Sequence, residues 1–355
     1  MFLSFGKKKY VVVDIGSCAI KGAVLKKNKD GLELKAANYR KLPPGIIEDG
    51  KIKDKSIVAT EIKELFSEMN INPKNVITTI PSNHLVTRNF ELPNLPKKEL
   101  EEALKWELDD VLTYSAEETT FDYIITEKRE DKINVLLIAA QDKVIEQYKS
   151  VFSENNIKTD VINTQAMALI SLLKFQDKLN KATAIVDLGH QGSRVVLCNE
   201  KDLFLTRNID SGGYDFTKNI MDNQNFEYKE AEEYKWENGI EVKNEVGNLE
   251  EDISLLGIGN DLVNISKEIA EEVSRSLEFY SIKNRGENIE NLYITGGTSL
   301  LKGMEKLIEK ETSLKTKRID PFEKIEVNIN FDNNYKELFN VVMGLAVSEV
   351  MHDES

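Results

Sequence analysis

Two aspartates, each with a glycine two positions on and a basic residue seven positions on, are the residues of this 355-residue chain best placed to do chemistry. Val12-Val13-Asp14-Ile15-Gly16 leads to Lys21, and Ile185-Val186-Asp187-Leu188-Gly189 leads to Arg194, with the aspartates 173 residues apart. Strand-forming residues follow both turns: Gly22-Ala23-Val24-Leu25 after the first and Val195-Val196-Leu197-Cys198 after the second. Each copy predicts a strand, a tight glycine turn bearing an acid, and a returning strand. Two such hairpins face to face would cradle a nucleotide's phosphates with backbone N–H groups and hold a divalent cation through Asp14 and Asp187. A single V-D-x-G is a short pattern with a high false-positive risk; its duplication at matched spacing is what points to a site.

Positioning those turns requires two similar sheets. Strand signals cover 10–14, 19–26 and 32–40, and Leu42-Pro43-Pro44-Gly45 breaks whatever precedes it. Ile57, Val58, Ile62, Leu65 and Phe66 form an apolar stripe that predicts a helix over 54–69, and a buried strand over 76–80 closes at Pro81. A strand at 85–91, a break at Leu92-Pro93-Asn94-Leu95-Pro96, a helix over 97–112 and strands near 119–128 and 132–140 make 86–142 a β-α-β-β module of its own. Helix 142–154, strand 157–163 and helix 165–179 then lead into the second hairpin at 182–198. A strand at 203–209, Ser211-Gly212-Gly213 and a helix over 214–221 come next. Residues 222–258 are polar and acidic, with one helical piece about 228–237. Leu262, Ile265, Ile269, Val273, Leu277 and Tyr280 lie on one face of a long helix over 260–283. Strand 291–295, Gly296-Gly297-Thr298, helix 299–311 and a final helix over 336–350 complete an α/β pattern in two similar halves. In the 97–112 helix Leu100, Leu104, Leu108 and Val111 share a stripe and Trp106 points away from it, so that packing on a neighbouring subdomain is expected ahead of a partner.

Composition narrows the function classes. The chain has room for two cores or more, and 41% hydrophobic with 30% charged residues is ordinary for a soluble globular protein. A net charge of −14 argues against nucleic acid as a partner. Cys18 and Cys198 stand far apart, and His84, His190 and His352 make no ligand spacing with them, which fits a reducing cytosol better than a disulfide framework or a zinc site. No apolar run approaches the roughly 18 residues of a membrane span. The first residues carry Lys7-Lys8-Lys9 after the apolar positions, the reverse of a signal peptide, so a cytoplasmic location is expected.

P-loop and Rossmann patterns are absent from the sequence. Five segments instead resemble, in order, those of the actin-like ATPase superfamily, which includes actin, MreB, FtsA and the heat-shock chaperone ATPases. Asp14-Ile15-Gly16-Ser17 with Lys21 is similar to the first phosphate hairpin, which implies that Ser17 and backbone N–H groups cradle the terminal phosphates while Lys21 neutralises them. Asp187-Leu188-Gly189 with Ser193 is similar to the second, although His190-Gln191 stands where several relatives have further glycines. Asn163-Thr164-Gln165-Ala166 opens the helix connecting the halves, and Gln165 matches a glutamine that orients the attacking water in actin. Glu232 and Lys235, with Gly212-Gly213 upstream, resemble elements that contact ribose and adenine; taken alone they read as an i,i+3 surface pair. Ile294-Thr295-Gly296-Gly297-Thr298 is similar to the adenosine motif, whose glycines let a base lie against the backbone.

The resemblance implies ATP and Mg²⁺ as cofactors, the metal held through Asp14 and Asp187, and at most slow ATPase activity with Gln165 as the catalytic residue. It also implies an actin-like, ribonuclease H-like duplicated fold. Its first half would be 1–85 with 143–181 and 336–355, an SHS2-like module would occupy 86–142, and the second half would span 182–335 with 214–260 as a smaller subdomain.

Within the superfamily the resemblance narrows to the PilM family of type IV pilus assembly. Phe5-Gly6-Lys7-Lys8-Lys9, Leu42-Pro43-Pro44-Gly45-Ile46-Ile47, Leu92-Pro93 through Ala103-Leu104-Lys105-Trp106-Glu107, and Arg275-Ser276-Leu277-Glu278-Phe279-Tyr280 carry it. Membership implies a cytoplasmic ATP-binding scaffold. It would grip the N-terminal cytoplasmic tail of an inner-membrane PilN-like partner, couple to other pilus assembly proteins and sit at the membrane through that partner, with self-association left open. An FtsA-like division protein is the alternative, disfavoured because Val341–Met351 runs into His352-Asp353-Glu354-Ser355 with no linker and no basic face. A small-molecule kinase of the same fold would need an acidic general base, and the sequence identifies none.

Overall fold

The structure, a computed structural model, describes residues 8–29, 31–112, 114–201, 203–240 and 253–353, with the backbone alone over 253–261. The Phe5-Gly6-Lys7 part of the N-terminal match, the 241–252 part of the acidic stretch and Glu354-Ser355 lie outside them.

Two sheets enclose a pair of helices. The first sheet has the order Lys158–Thr164, Asn75–Ile80, Lys9–Ile15, Ala19–Asn28, Gly31–Lys41, Ile325–Val327, and the second Leu203–Ile209, Ser193–Cys198, Thr183–Leu188, Asn291–Thr295, Thr316–Arg318. Their central strands are apolar on both faces because each face meets a core. Val12 joins the core between the sheets while Val13 packs on the outer side; likewise Ile185 faces inward and Ala184 and Val186 outward. Helices Gln165–Phe175 and Asn340–His352 fill the shared core. They cross closely enough that a Cβ on Gly344 would lie 2.1 Å from the Ala168 carbonyl oxygen.

Between the strand ending at Ile80 and the helix Asp142–Ser153, the chain builds a separate three-stranded sheet. Its order is Leu85–Pro93, Lys132–Gln141, Thr119–Lys128, covered by helix Lys97–Val111. Leu100, Leu104 and Leu108 meet Leu92, Val135 and Leu137 in a core of its own, as the β-α-β-β reading anticipates. Trp106 does not pack on a neighbour: it is 75% exposed.

Several boundaries differ from the sequence reading: the long helix expected from 260 begins at Ile253, and the final helix expected from 336 begins at Asn340, after a 3-10 turn over Asn333–Phe339. The expected helix over 299–311 is a 3-10 turn, Gly297–Leu300, followed by an α-helix, Met304–Thr312. Gly303 separates them, with φ +91° and its missing Cβ replaced by the Ile240 carbonyl oxygen. The connecting helix stops at Phe175, four residues early, and Asp177 turns left-handed just beyond its cap. Ile325–Val327 pairs in parallel with the strand Gly31–Lys41, so the first sheet already reclaims the chain before the boundary expected at 335.

Candidate functional site

The register reproduces the duplicated pattern: Asp14 stands directly across from Lys21, and Asp187 directly across from Arg194. Cross-strand neighbours on one face lie close enough for oppositely charged side chains to pair. Lys21 Nζ donates to Asp14 Oδ2 at 3.0 Å, and Arg194 Nη1 donates to Asp187 Oδ2 at 3.1 Å.

The aspartates also face one another. Gln165 is the first residue of its helix, a start fixed by Thr164, whose hydroxyl accepts the Met167 N–H at 3.0 Å. From there its Nε2 donates to Asp14 Oδ1 at 3.1 Å, and its Oε1 accepts from Arg194 Nη2 at 2.6 Å. One amide and one guanidinium therefore span the gap between the hairpins. Arg194 turns its Nε to Ser82 Oγ at 2.7 Å, and Thr79 Oγ1 donates to Asp14 Oδ1 at 3.0 Å.

Burial acts differently on the two acids. It would raise the Asp14 carboxyl, but Lys21, by charge and hydrogen bond, with Gln165 and Thr79, outweighs it and holds Asp14 below its ordinary value. Burial raises Asp187 in spite of Arg194, and the nearby Asp14 charge adds to the rise. Lys21, which burial alone would push down, is held up by Asp14.

At the tips, the Gly16 N–H donates to the Ala19 carbonyl at 3.0 Å, and Ser17 and Cys18 form the turn between them. Ser193 has another occupation: its hydroxyl donates to the Ser211 carbonyl at 2.8 Å from a buried position. The residues that depart from the glycine-rich pattern also have structural jobs. Gln191 Nε2 reaches across to the Ile47 carbonyl at 2.7 Å, and the His190 ring meets Tyr214 edge-on with centroids 5.6 Å apart. Burial, then Lys235, pushes the His190 imidazole down to about 4.

The segments matched to adenosine elements converge on this second turn. The Gly189 carbonyl accepts both the Gly213 N–H at 2.9 Å and Thr298 Oγ1 at 2.7 Å. A Cβ at Gly212 would lie within 2.8 Å of the Gly189 oxygen, and one at Gly296, where φ is +85°, 2.6 Å from Asp187 Oδ1. These glycines let loops pack on loops. At Gly297 a Cβ would come 3.3 Å from Leu338. Glu232 and Lys235 do pair at i,i+3, but not on the surface: Lys235 is 2% exposed. Its ammonium donates to the Gly213 carbonyl at 3.1 Å and to Thr217 Oγ1 at 2.7 Å, while Trp236 Nε1 donates to Glu232 Oε2 at 3.2 Å. Burial lowers Lys235, Glu232 offsetting part of it.

The expected positions thus fall on the two hairpins, on the connecting helix, on the loops against them and, for Gly213, Glu232 and Lys235, on the helices Gly213–Gln224 and Tyr228–Asn238. Arg194, marked by the seven-residue spacing, joins the site as the counterpart of Lys21; Thr79, Ser82 and Asn340 join it without having been expected there, and nothing in the sequence marks them. Asn340 opens the last helix as Gln165 opens the connecting one, and its Nδ2 donates at 2.7 Å to Thr295 Oγ1, the residue paired with Asp187 in the next strand. Among the described residues no three His, Cys, Asp or Glu side chains gather as a metal cage. Two opposed carboxylates suit instead a cation that takes its remaining oxygens from phosphate and water, as Mg²⁺ does.

The fold has known counterparts. The solved structure titled "PilM-PilN type IV pilus biogenesis complex" superposes with a TM-score of 0.84 at 23% identity, covering 97% of this chain and 99% of that one. MreB5 of Spiroplasma citri bound to AMPPNP gives 0.56 at 17% identity over 98% of each chain. The ethanolamine utilization protein EutJ from Carboxydothermus hydrogenoformans gives 0.57 at 14%, over 97% of this chain and 90% of that one. The fold is the actin-like one these structures share. Residues 12–349 match the model of the type IV pilus assembly protein PilM family, and the chain belongs to that family.

Proposed function

We propose that this protein is a cytoplasmic scaffold that binds Mg·ATP between its two hairpins and, in that state, holds the cytoplasmic N-terminal tail of a PilN-like inner-membrane protein. The observation that carries the reading is the opposition of Asp14–Lys21 and Asp187–Arg194 across Gln165. Paired acids supply the cation's protein oxygens, Lys21 and the Ser17 turn take phosphate charge, and Gly296-Gly297-Thr298 with Glu232 and Lys235 border the nucleoside end. Bound Mg²⁺ would supply charge neutralisation for the phosphates. Gln165 is the residue assigned to water orientation; its carbonyl is occupied by Arg194, which fits slow turnover. Nucleotide in the MreB5 structure is in keeping with this reading.

A PilN-like partner is favoured because the solved relative is a PilM-PilN complex. The place proposed for its tail is a groove of about 520 Å³ where the first half meets the 86–142 module, lined by Thr120, Asp142, Ile145, Lys149, Thr159 and Ile162 among others. Thr159 belongs to the outermost strand of the first sheet and Thr120 to an outer strand of the module, so both walls offer strand edges to an extended peptide. Thr159 Oγ1, buried there, has no protein partner. No helix among the described residues is long and apolar enough to cross a membrane, so attachment at the inner face is assigned to the partner. Calorimetry with Mg·ATP tests the site: binding should be lost in the Asp14→Ala/Asp187→Ala double variant, and undiminished binding would sink the assignment. Deleting 86–142 with the flanking strands rejoined should abolish capture of a PilN-type tail peptide and keep nucleotide binding, because both hairpins lie outside it.

A further inference from the structure

We propose that Arg194 is a positioning residue that ties occupation of the phosphate site to the turn from which the 86–142 module springs; the inference rests on nucleotide binding between the hairpins. The guanidinium reaches in three directions at once. Nη1 donates to Asp187 Oδ2 at 3.1 Å, Nη2 to Gln165 Oε1 at 2.6 Å and Nε to Ser82 Oγ at 2.7 Å. Ser82 passes its own proton to Asn208 Oδ1 at 2.8 Å. Ser82 opens the 3-10 turn Ser82–His84, and Leu85, the next residue, begins the first strand of the module. The far side of that turn is held by the first half, where Asn83 Nδ2 and the His84 ring both meet the Asp49 carbonyl at 2.8 Å. The root of the module is therefore gripped from both halves, and in the second half the grip is shared between Asn208 and Arg194, a residue of the phosphate site.

Charge balance says what loading does to that grip. Asp14, Asp187, Lys21 and Arg194 are two acids and two bases, each acid already paired with its own base. A divalent cation arriving with a triphosphate competes with those bases for carboxylate oxygens, and the phosphates compete with the carboxylates for the bases. Asp14 accepts from Lys21, Thr79 and Gln165, whereas Asp187 accepts one side-chain hydrogen bond, from Arg194. Asp187 is the acid free to change partner. The guanidinium is planar and its donors move as one fork, so turning it from Asp187 toward phosphate oxygens withdraws Nε from Ser82. Loading of the site loosens the module's root, and by linkage whatever firms the root must weaken loading by the same factor.

Hydrogen exchange of the amides of residues 83–92 reads the root directly, with calorimetry reporting Mg·ATP affinity on the same samples. In the wild-type protein, saturating Mg·ATP should speed exchange there by about threefold or more. Ser82→Ala, which touches neither Asp187 nor Gln165, should exchange fast without nucleotide, respond less than about 1.5-fold, and bind Mg·ATP tighter by about the factor lost. Arg194→Lys keeps the charge without the fork and should also lose the response; urea unfolding of both variants verifies that they are folded. Bound nucleotide with unchanged exchange in the wild type, or an undiminished response in folded Ser82→Ala, overturns the coupling and leaves the nucleotide site standing. A wild-type protein that binds no Mg·ATP overturns the site and the coupling together.

Discussion

The two hairpins have one backbone plan and two electrostatic characters. In both, the acid sits across from a base in an antiparallel pair next to a glycine turn. Asp14 is 3% exposed, accepts from three side chains and is held below the ordinary carboxylate range by Lys21 against the effect of burial. Asp187 leans on Arg194 alone among the described side chains, and burial together with the Asp14 charge raises it. Duplication of a motif therefore copies geometry without copying charge state. The first hairpin is a fixed electrostatic floor, and the second, whose acid has a single side-chain partner among the described residues, is the one able to rearrange.

Removing each charge separately is the strongest way to break that comparison. Asp14→Asn strands a buried ammonium, and loss of one partner of a buried pair costs roughly 3–5 kcal/mol. Asp187→Asn also takes the carboxylate from a buried base, but Arg194 keeps Gln165 and Ser82 and the lost carboxylate is one whose ionisation burial already opposes, so its cost should be the smaller, roughly 1.5–3 kcal/mol. Urea unfolding of the two variants decides; equal losses would mean that the hairpins are electrostatically equivalent. Both variants should lose cation-dependent nucleotide affinity, since each removes a protein oxygen from the cation.

Gln165 spans the two characters, and the next test sharpens its role. Its amide nitrogen serves the first hairpin and its carbonyl the second. Gln165→Ala should lower single-turnover ATP hydrolysis by about tenfold while changing ATP affinity by less than about threefold, the signature of an interaction made in the transition state. A large affinity loss with unchanged turnover of the bound nucleotide would instead make Gln165 a ligand-positioning bridge.

Much of this was legible in the sequence, for a physical reason. Strands buried on both faces must be apolar throughout, and Val11-Val12-Val13 and Ala184-Ile185-Val186 announce them. The β-α-β-β module reads equally well because its breaks are prolines and its helix has an unambiguous stripe. What the sequence withholds is environment. Nothing in Glu232-x-x-Lys235 says that the lysine is buried against Gly213, because i,i+3 spacing is the same on a surface and in a core. Trp106 points away from its stripe, yet periodicity cannot say whether a neighbour stands there. The Thr79 and Ser82 contacts depend on sheet neighbours distant in the chain. Ile325–Val327 is too short to carry a period, so its return to the first sheet could not be read.

The serines offer a smaller contrast. Ser17 lies on the open tip of the first hairpin, whereas the Ser193 proton is given to the Ser211 carbonyl from a buried position. Ser193→Ala should cost about 1 kcal/mol of stability with little effect on ATP affinity. Ser17→Ala should do the opposite, leaving the unfolding midpoint in place and weakening ATP binding. Matching effects at the two positions would restore Ser193 as a phosphate donor and erase the distinction.

The last expected effect is a slope in mild acid. His190, in the second turn, is pushed down to about 4 by burial and Lys235, so the folded protein favours its neutral form. Its contribution to stability is complete above the ordinary histidine value near 6.5 and is lost as pH falls toward about 4, because the unfolded chain takes up the proton first. Asp187 works with the opposite sign: raised in the folded state, it accepts a proton there before it would in the unfolded chain, which favours folding as pH falls through its folded value. Asp14, held low, contributes a loss only below the ordinary carboxylate value of 3.8. Between pH 6.5 and 4 the second hairpin should therefore titrate while the first stays silent. Urea titrations across that window should show His190→Gln reducing the wild-type slope by up to about 1.4 kcal/mol per pH unit, a bound set by uptake of one proton. An unchanged slope in the variant would place the imidazole in contact with solvent and remove the pH signature that separates the second hairpin from the first.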